Sequence, residues 1–248
     1  MHEWEYPRHA YVMRLLHMMD PDFLHETQCY FAGGTRLVME LGEYRRSDDV
    51  DFLAGDEEGW STLRRGVSHA SLGPLFKEDP VLVREVRADR YGIRTYVDVG
   101  GERIKFEVVR AEARVTEPGN VPGWPVPVMG RQAMVAQKLL AAADRGMDRS
   151  THFRDLIDLA YMAASWGVPV LEAGMDMANR AYPDLPYTGL VATLRHATQD
   201  PARWREDMTH LGVNRADPRL LKGLLAANAL CSHPLPAREL QASTTGFQ

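Results

Sequence analysis

The sequence predicts an α+β protein, with a mixed β-sheet in an N-terminal domain and a bundle of helices in a C-terminal domain. Three observations lead to this prediction. Residues 81–110 are rich in Val, Ile, Tyr and Phe and are divided by turn signals such as Gly100-Gly101. Residues 117–130 hold four prolines and three glycines, which neither a helix nor a central strand tolerates. Beyond residue 130, apolar residues recur at helical spacing.

These observations divide the 248 residues into four parts. We expect a first domain at residues 1–117, a Pro/Gly-rich linker at 118–130, a helical domain at 131–234 and a flexible tail at 235–248. The tail is expected to fray because the apolar periodicity is lost after Pro234.

In the N-terminal domain, local patterns predict a succession of helices and strands. The helical run that follows Gly33-Gly34 should end at Gly42, since glycine commonly terminates helices. We interpret the last three predicted strands as antiparallel members of the sheet begun by residues 49–53. The predicted helices are 6–19, 35–42 and 59–76, and the predicted strands are 48–55, 81–90, 92–99 and 102–110.

The C-terminal domain is predicted to be helical throughout. Its apolar residues repeat every three to four positions, which is typical of helices that bury one face. The predicted helices are 131–146, 153–167, 170–182, 189–200, 201–211 and 218–233.

The composition excludes several classes of protein. The sequence has no run of about 18 apolar residues, so we expect no membrane span. Its start mixes acids and histidines with apolar residues, unlike a signal peptide. Cys29 and Cys231 lie far apart without metal-ligand spacing, which favours free thiols in a reducing cytoplasm. A net charge of −5 is not that of a protein that holds nucleic acid by bulk charge alone.

One segment, GGTRLVMELGEYRRSDDVDF, combines two features that suit phosphate chemistry. Gly33 and Gly34 lie just before a predicted helix, whose free N–H groups favour a phosphate, and Thr35 can add its hydroxyl. In a strand, Asp49 and Asp51 would share one face and could hold a hard divalent cation. Taken singly, these features could be an ordinary turn and a solvated strand edge. Their order along the chain favours metal-assisted phosphoryl or nucleotidyl transfer.

This segment resembles the signature of the polymerase-β-like nucleotidyltransferase superfamily. Within that superfamily it is most similar to the AbiEii/AbiGii toxin family, whose pattern is G-G-[ST]-x-L, a short helical spacer and R-x-S-x-D-[IV]-D-[FL]. Asp48 falls on a variable position, so we expect it to be solvated and give it no ligand role. The positions that fit are Gly33, Gly34, Thr35, Leu37, Arg45, Ser47, Asp49, Val50, Asp51 and Phe52.

The resemblance implies a third carboxylate, because the superfamily generally supplies one from a neighbouring strand. Glu107 is the candidate, since it alternates with Phe106 and Val108 and should face away from the core. Lys105 shares that face, so the alternative is an ordinary solvated Lys/Glu strand surface.

In the helical domain, AQKLLAAADRGMDRSTHFRDLIDL is similar to the family's lysine followed by R-D-x-x-D. Lys138 matches the lysine, and Arg154, Asp155 and Asp158 match the second element. The lysine could neutralise charge on leaving pyrophosphate, and an aspartate could orient it or act as a base. We favour Asp155 for that role. The alternative is an inter-helix salt bridge that docks the two domains.

The resemblance therefore implies a metal-dependent nucleotidyltransferase that uses Mg²⁺ or Mn²⁺. The expected metal ligands are Asp49, Asp51 and Glu107. The expected nucleotide-binding residues are Gly33, Gly34, Thr35, Arg45, Ser47 and Lys138. The expected catalytic residues are Asp49, Asp51, Lys138, Asp155 and Asp158.

The same resemblance implies a cytoplasmic toxin of a toxin–antitoxin or phage-defence system. Such a toxin would transfer a nucleoside monophosphate from an NTP to a hydroxyl, with the tRNA 3′ end as the leading acceptor and a cognate antitoxin protein as partner. Two alternatives stay open: a nucleotidyltransferase for a small-molecule or protein hydroxyl, and an inactive nucleotide-binding module.

Overall fold

The computed structural model describes residues 4–112, 114, 116–231 and 233–245. The chain divides into two compact units. Unit 1 comprises Met1–Glu43 and Ser47–Gly130, and unit 2 comprises Tyr44–Arg46 and Arg131–Gln248. The fold is α+β, as predicted, with the sheet in unit 1 and a set of helices in unit 2.

Unit 1 is built on a mixed sheet whose strand order is β3-β5-β6-β2-β1-β8-β7, with β4 paired to β5. Strand β2 is central, antiparallel to β1 and parallel to β6. Its helices are α1 (Arg8–Met18), α2 (Pro21–Glu26), α3 (Gly33–Glu40) and α4 (Glu57–Gly66). Its strands are β1 (Cys29–Ala32), β2 (Val50–Ala54), β3 (Val81–Leu82), β4 (Arg87–Ala88), β5 (Gly92–Val99), β6 (Glu102–Arg110), β7 (Pro118–Gly119) and β8 (Val128–Met129).

The core of unit 1 lies on one face of this sheet. Buried and half-buried residues alternate along β2, as expected for a strand with a single buried face. The rings of Phe31, Phe52 and Phe106 come from three neighbouring strands of the sheet. The ring centroids are 5.5 Å apart for Phe31 and Phe52 and 6.0 Å apart for Phe52 and Phe106. Helix α1 contributes Val12, Leu15 and Leu16 to the same cluster. Full burial of each such side chain contributes roughly 1.5–3 kcal/mol.

Several predicted elements of unit 1 differ from the structure. Strand β6 runs parallel to β2, not antiparallel, and its antiparallel partner is β5, with which it forms a hairpin. The helix predicted at 59–76 ends at Gly66, where the backbone of Val67 turns extended. The strand predicted at 81–90 is two short strands, β3 and β4.

The segment predicted to be a Pro/Gly-rich linker, residues 118–130, contains the short strands β7 and β8. These two-residue strands pair with each other, and Val128 of β8 pairs in parallel with Phe31 of β1. Trp124 packs its ring edge against Phe31 at 5.3 Å between ring centroids. Prolines are tolerated here because the strands are short and β7 lies at the sheet edge. This stretch therefore extends the sheet of unit 1.

Unit 2 contains the helices that the apolar periodicity predicted. Proline stands in the first turn of α7, α8, α9 and α10, where a missing N–H costs nothing. Helices α6 and α10 pack closely at Gly223, where an added Cβ would lie 1.7 Å from the Ala160 carbonyl oxygen. The absence of a side chain at Gly223 permits this approach. The helices are α5 (Arg131–Arg145), α6 (Arg154–Trp166), α7 (Val168–Ala181), α8 (Leu185–Gln199), α9 (Pro201–Leu211), α10 (Pro218–Ala229) and α11 (Ala237–Thr245).

The predicted flexible tail contains helix α11. Leu240 is buried, and so is Thr244, whose hydroxyl donates a hydrogen bond of 2.8 Å to the Leu240 carbonyl. The buried face of α11 therefore includes a hydroxyl residue, which a search for apolar periodicity does not detect. Residues 246–248 of that predicted tail lie outside the described residues. In the described parts of the chain, we find no helix with the length and apolar character needed to cross a membrane.

Candidate active site

The turn from β1 into α3 brings Gly33 against Asp51. Ala32, the last residue of β1, pairs with Asp51 of β2, and Gly33 follows with a left-handed φ of 73°. A Cβ at Gly33 would lie 2.5 Å from the Oδ2 atom of Asp51. Ala32 at the N-cap supplies no side-chain hydrogen bond to the first turn of α3. The helix start therefore offers backbone N–H groups beside a carboxylate, in a space that only glycine leaves open.

Two of the three predicted metal ligands, Asp49 and Asp51, flank one buried residue. Asp51 lies in β2, whereas Asp49 lies just before the strand begins at Val50. Val50 and Phe52 are fully buried, and the Asp49 side chain is 45% exposed. The alternation expected of a strand thus extends one residue beyond its hydrogen-bonded part. Asp48 pairs with Arg8 at 2.9 Å in a surface salt bridge.

Lys105 lies among the carboxylates of unit 1. Its Nζ atom is 3.0 Å from Asp49 Oδ2 and 3.3 Å from Glu107 Oε2. Burial alone would lower the pKa of Lys105, but Asp49, Glu107 and Asp51 raise it overall. Three acidic side chains therefore stabilise a positive charge at this position.

Glu107 stands beside Asp51 in the sheet, as parallel neighbours on β6 and β2. Its Oε1 atom accepts a hydrogen bond of 2.5 Å from Nε of Arg94 on β5. Within the described ranges, no three His, Cys, Asp or Glu side chains are grouped so that they could hold a metal ion. Asp49 and Asp51 supply the hard oxygen donors that Mg²⁺ or Mn²⁺ prefers, so this pair fits such a cation. The role of Glu107 as a third ligand stays a prediction.

Thr35 and Ser47 form a hydroxyl pair next to the glycine turn. Thr35 Oγ1 lies 2.9 Å from Ser47 Oγ, and Thr35 is buried while Ser47 is half-buried. The Thr35 hydroxyl is therefore already bonded inside the protein. Gly33 and Gly34 are half-buried, so their backbone is more accessible than the Thr35 side chain.

In unit 2, Arg45 and Asp158 form a buried bidentate ion pair. Arg45 donates from Nε to Asp158 Oδ1 at 2.6 Å and from Nη2 to Oδ2 at 2.8 Å. Nη1 of Arg45 donates to the Arg46 carbonyl at 2.8 Å, and Tyr44 donates its hydroxyl to Asp158 at 2.7 Å. The structure thus places Arg45 in an internal ion pair, and its predicted nucleotide contact stays a prediction.

Lys138 of α5 joins the same cluster of charges. Its Nζ atom is 2.6 Å from Asp158 Oδ2 and 2.9 Å from Asp155 Oδ1. Arg145, also on α5, donates to Asp155 at 2.8 Å. Unit 2 therefore contains a salt-bridge cluster of three cations, Arg45, Lys138 and Arg145, and two carboxylates, Asp155 and Asp158. All five residues belong to this one unit.

The cluster changes the acidity of both aspartates. Burial would raise the pKa of Asp155, but Lys138 and Arg145 lower it overall. Burial would likewise raise the pKa of Asp158, and Arg45 and Lys138 lower it. Such carboxylates stay ionised and accept a proton poorly. The cluster suits the orientation of Lys138 better than general-base catalysis by Asp155.

Sequence reasoning missed several partners of these residues. Arg94 alternates with buried residues on the face that carries Glu107, so the strand period contained a signal for it. Lys105 was expected on that face, but its contact with Asp49 was not. Arg145 lies only ten residues before Asp155, within the segment that carries Lys138, so its contact was open to sequence reasoning. Tyr44 carries no local signal, since its contact with Asp158 joins residues 114 positions apart. His9 and Glu43, which adjoin Ser47, were missed for the same reason.

Comparison with known proteins identifies a family for this chain. Residues 14–224 match the sequence profile of the family described as nucleotidyl transferase AbiEii toxin, type IV TA system. No sequence among the curated proteins matches significantly.

Three solved structures are similar. The first, JHP933 from Helicobacter pylori, has a TM-score of 0.51 and 14% identity, and the alignment covers 98% of this chain and 97% of that one. This likeness concerns the fold. A second H. pylori protein, described as a candidate nucleotidyltransferase, has a TM-score of 0.47, 17% identity and coverages of 96% and 94%. An antigenic nucleotidyltransferase-like protein from Paracoccidioides brasiliensis has a TM-score of 0.36, 15% identity and coverages of 70% and 88%.

The profile match spans most of the chain and includes both the glycine turn with Asp49 and Asp51 and the cluster around Lys138. The chain belongs to the AbiEii family, the nucleotidyltransferase toxins of type IV toxin–antitoxin systems, and is itself a nucleotidyltransferase.

Proposed function

We propose that this protein transfers a nucleoside monophosphate from an NTP to an acceptor hydroxyl and releases pyrophosphate, with tRNA 3′ ends as the acceptor. The observation that supports this most is the contact of Gly33 with Asp51, because it sets a helix start beside a carboxylate. Such a close backbone approach lets free N–H groups bind a phosphate chain next to a metal-binding carboxylate.

In this proposal, the residues of unit 1 bind and orient the NTP. Backbone N–H groups of Gly33 and Gly34 donate to its β and γ phosphates, while the Thr35–Ser47 hydroxyl pair fixes the turn beneath them. Asp49 and Asp51 would hold Mg²⁺ or Mn²⁺. When bound, that cation would neutralise negative charge on the triphosphate and on the attacking oxygen.

The roles of the unit 2 residues are inferred from their contacts within the charge cluster. We propose that Lys138 contributes positive charge to nucleotide binding, as its place in the family pattern implies. Asp155 and Asp158 fix its ammonium group through hydrogen bonds of 2.9 and 2.6 Å. Because both aspartates have lowered pKa values, we assign them to orientation rather than to proton abstraction.

The biological role follows from the family and from the chemistry. Addition of a nucleotide to a tRNA 3′ end would block aminoacylation, so the activity would be toxic and would require a neutralising antitoxin. An NTP donor and a tRNA acceptor would be available in the cytoplasm. Cys29 and Cys231 are both free and buried, which is compatible with a reducing compartment.

The test is a transfer assay with one labelled NTP at a time. The purified chain is incubated with Mg²⁺ and total tRNA, a set of small hydroxylated acceptors, or a protein extract. We expect label at tRNA 3′ ends with one or two of the four NTPs. Label confined to the small molecules or to protein would refute the tRNA acceptor, and NTP binding without transfer would favour an inactive binding module.

A further inference from the structure

His9 of α1 lies buried with hydrogen-bond acceptors on both sides of its ring. Nδ1 is 2.5 Å from Glu43 Oε1, and Nε2 is 2.7 Å from the Ser47 carbonyl oxygen. Only 1% of the His9 side chain is exposed. Trp4 and Tyr6 cover the ring with edge-on contacts at 5.8 and 5.6 Å between centroids.

The two contacts require two N–H donors on one ring. A carbonyl oxygen can only accept, and Glu43 already accepts from the backbone N–H groups of Glu5 and Tyr6 at 2.6 and 3.0 Å. Burial would raise the pKa of Glu43, but these amides and His9 lower it overall. Glu43 is therefore a carboxylate, and His9 carries both ring protons.

Stability alone does not explain this pair. The attraction within a buried ion pair offsets the loss of hydration poorly, and apolar residues of similar volume commonly give equal or greater stability. Glu43 also adopts a left-handed backbone with φ of 53°, which disfavours a residue with a side chain. Costs of this kind concentrate at functional sites, where orientation matters more than stability.

The contacts of α1 converge on the chain that leads into β2. His9 holds the carbonyl of Ser47, and the preceding residue, Arg8, pairs with Asp48 at 2.9 Å. The next residue is Asp49. Ser47 is held a second time through its hydroxyl, which pairs with Thr35 at 2.9 Å. Asp49 precedes the hydrogen-bonded part of β2, so the sheet ladder alone does not fix it.

We propose that His9 is a positioning residue for nucleotidyl transfer, which orients Asp49 by fixing the Ser47 carbonyl, with Glu43 as its counter-ion. This inference rests on the proposed function for its catalytic consequence. Its structural consequence, an ordered Ser47–Asp49 segment, is independent of the substrate.

The experiment compares His9→Phe and Glu43→Gln with two control variants on the same helix. Val12→Ala removes buried apolar contacts of α1 without touching Ser47, and His17→Phe changes an exposed histidine. For each protein we would measure the melting temperature, the amide hydrogen exchange of residues 47–51, and kcat and KM for transfer of labelled nucleotide. If His9→Phe is unfolded at the assay temperature, His9→Gln, which keeps one donor, takes its place.

We expect His9→Phe to speed exchange at residues 47–51 and to lower kcat by about tenfold to a hundredfold with little change in KM for the NTP. Glu43→Gln should change both in the same direction and less. Val12→Ala should lose stability but retain kcat and slow exchange.

Unchanged exchange and kcat in His9→Phe would overturn the proposal, as would an equal loss of both in Val12→Ala. If the wild-type chain transfers no label to any acceptor, the proposed function fails. The exchange comparison between His9→Phe and Val12→Ala then decides the positioning role by itself.

Discussion

Arg45 and Asp158, which lie 113 residues apart in the sequence, form two parallel hydrogen bonds of 2.6 and 2.8 Å inside unit 2. The arginine comes from the glycine–aspartate segment and the aspartate from the R-D-x-x-D segment. The Tyr44 ring stacks on Tyr161 beside them at 3.9 Å between centroids. Two motifs that look separate in the sequence therefore share one buried ion cluster.

Loss of Asp158 should destabilise unit 2. Asp158→Ala would leave Arg45 as a buried charge without its carboxylate, and breaking such a pair costs about 3–5 kcal/mol. Urea unfolding monitored by circular dichroism would measure the change in the free energy of unfolding. Asp144→Ala, at an exposed position of α5, is the matched control and should change it by less than about 0.5 kcal/mol. Equal stability of the two variants would show that the ion pair contributes nothing.

The same cluster predicts how stability depends on pH. Asp155 and Asp158 have lower pKa values in the folded chain than the value of about 3.9 for an unfolded aspartate. As pH falls below about 4, the unfolded chain binds protons first, so the stabilisation present at neutral pH is lost towards the lower folded-state pKa values. Melting temperatures measured from pH 7 to pH 2.5 should fall steeply at the acid end. Asp155→Asn should give a shallower fall, and a parallel curve for that variant would contradict the assignment.

Gly33→Ala should impair nucleotide transfer through a clash with Asp51. A Cβ there would lie 2.5 Å from the carboxylate, in addition to the cost of the left-handed backbone. Gly101→Ala is a close control, since Gly101 has a φ of 92° and no atom within 4 Å of an added Cβ. Both variants should lose about 1–2 kcal/mol from the backbone conformation. Only Gly33→Ala should also lose transfer activity, by at least about tenfold. Equal transfer activity in the two variants would show that the close approach of Gly33 to Asp51 is not needed for nucleotide transfer.

Lys105 should compete with the divalent cation for the carboxylates. Its ammonium group lies 3.0 Å from Asp49, so Lys105→Met should tighten Mn²⁺ binding measured by calorimetry. Lys77→Met, an exposed lysine whose Nζ donates to the His17 carbonyl, provides the control. Weaker Mn²⁺ binding in Lys105→Met would mean that the lysine supports the site instead of competing for it.

The sequence predicted the local parts of this structure and missed the long-range ones. The order Gly33-Gly34, helix, Asp49 and Asp51 was readable because every element lies within twenty residues and follows a helix or strand period. The same period predicted the helices of unit 2. Strand β1 escaped prediction because four residues are too short to show a period.

Other features depended on pairing that no local pattern encodes. The parallel alignment of Asp51 with Glu107 is set by the whole sheet, since either strand direction suits the same alternation. The His9 contact with Ser47 and the Arg45 contact with Asp158 join residues distant in sequence. In α11, the burial of Leu240 stabilises a helix that the apolar period did not predict.

We propose that Asp49 and Asp51 carry the metal-dependent chemistry, whereas the adjacent Asp48 is a surface residue paired with Arg8. The measurement is transfer of labelled nucleotide to total tRNA by Asp48→Ala, Asp49→Ala and Asp51→Ala, with melting temperatures to confirm folding. We expect near wild-type transfer for Asp48→Ala, because an exposed ion pair contributes only about 0–1 kcal/mol. We expect no detectable transfer for Asp49→Ala or Asp51→Ala. Wild-type transfer by either of these two variants, when folded, would contradict their assignment as metal ligands.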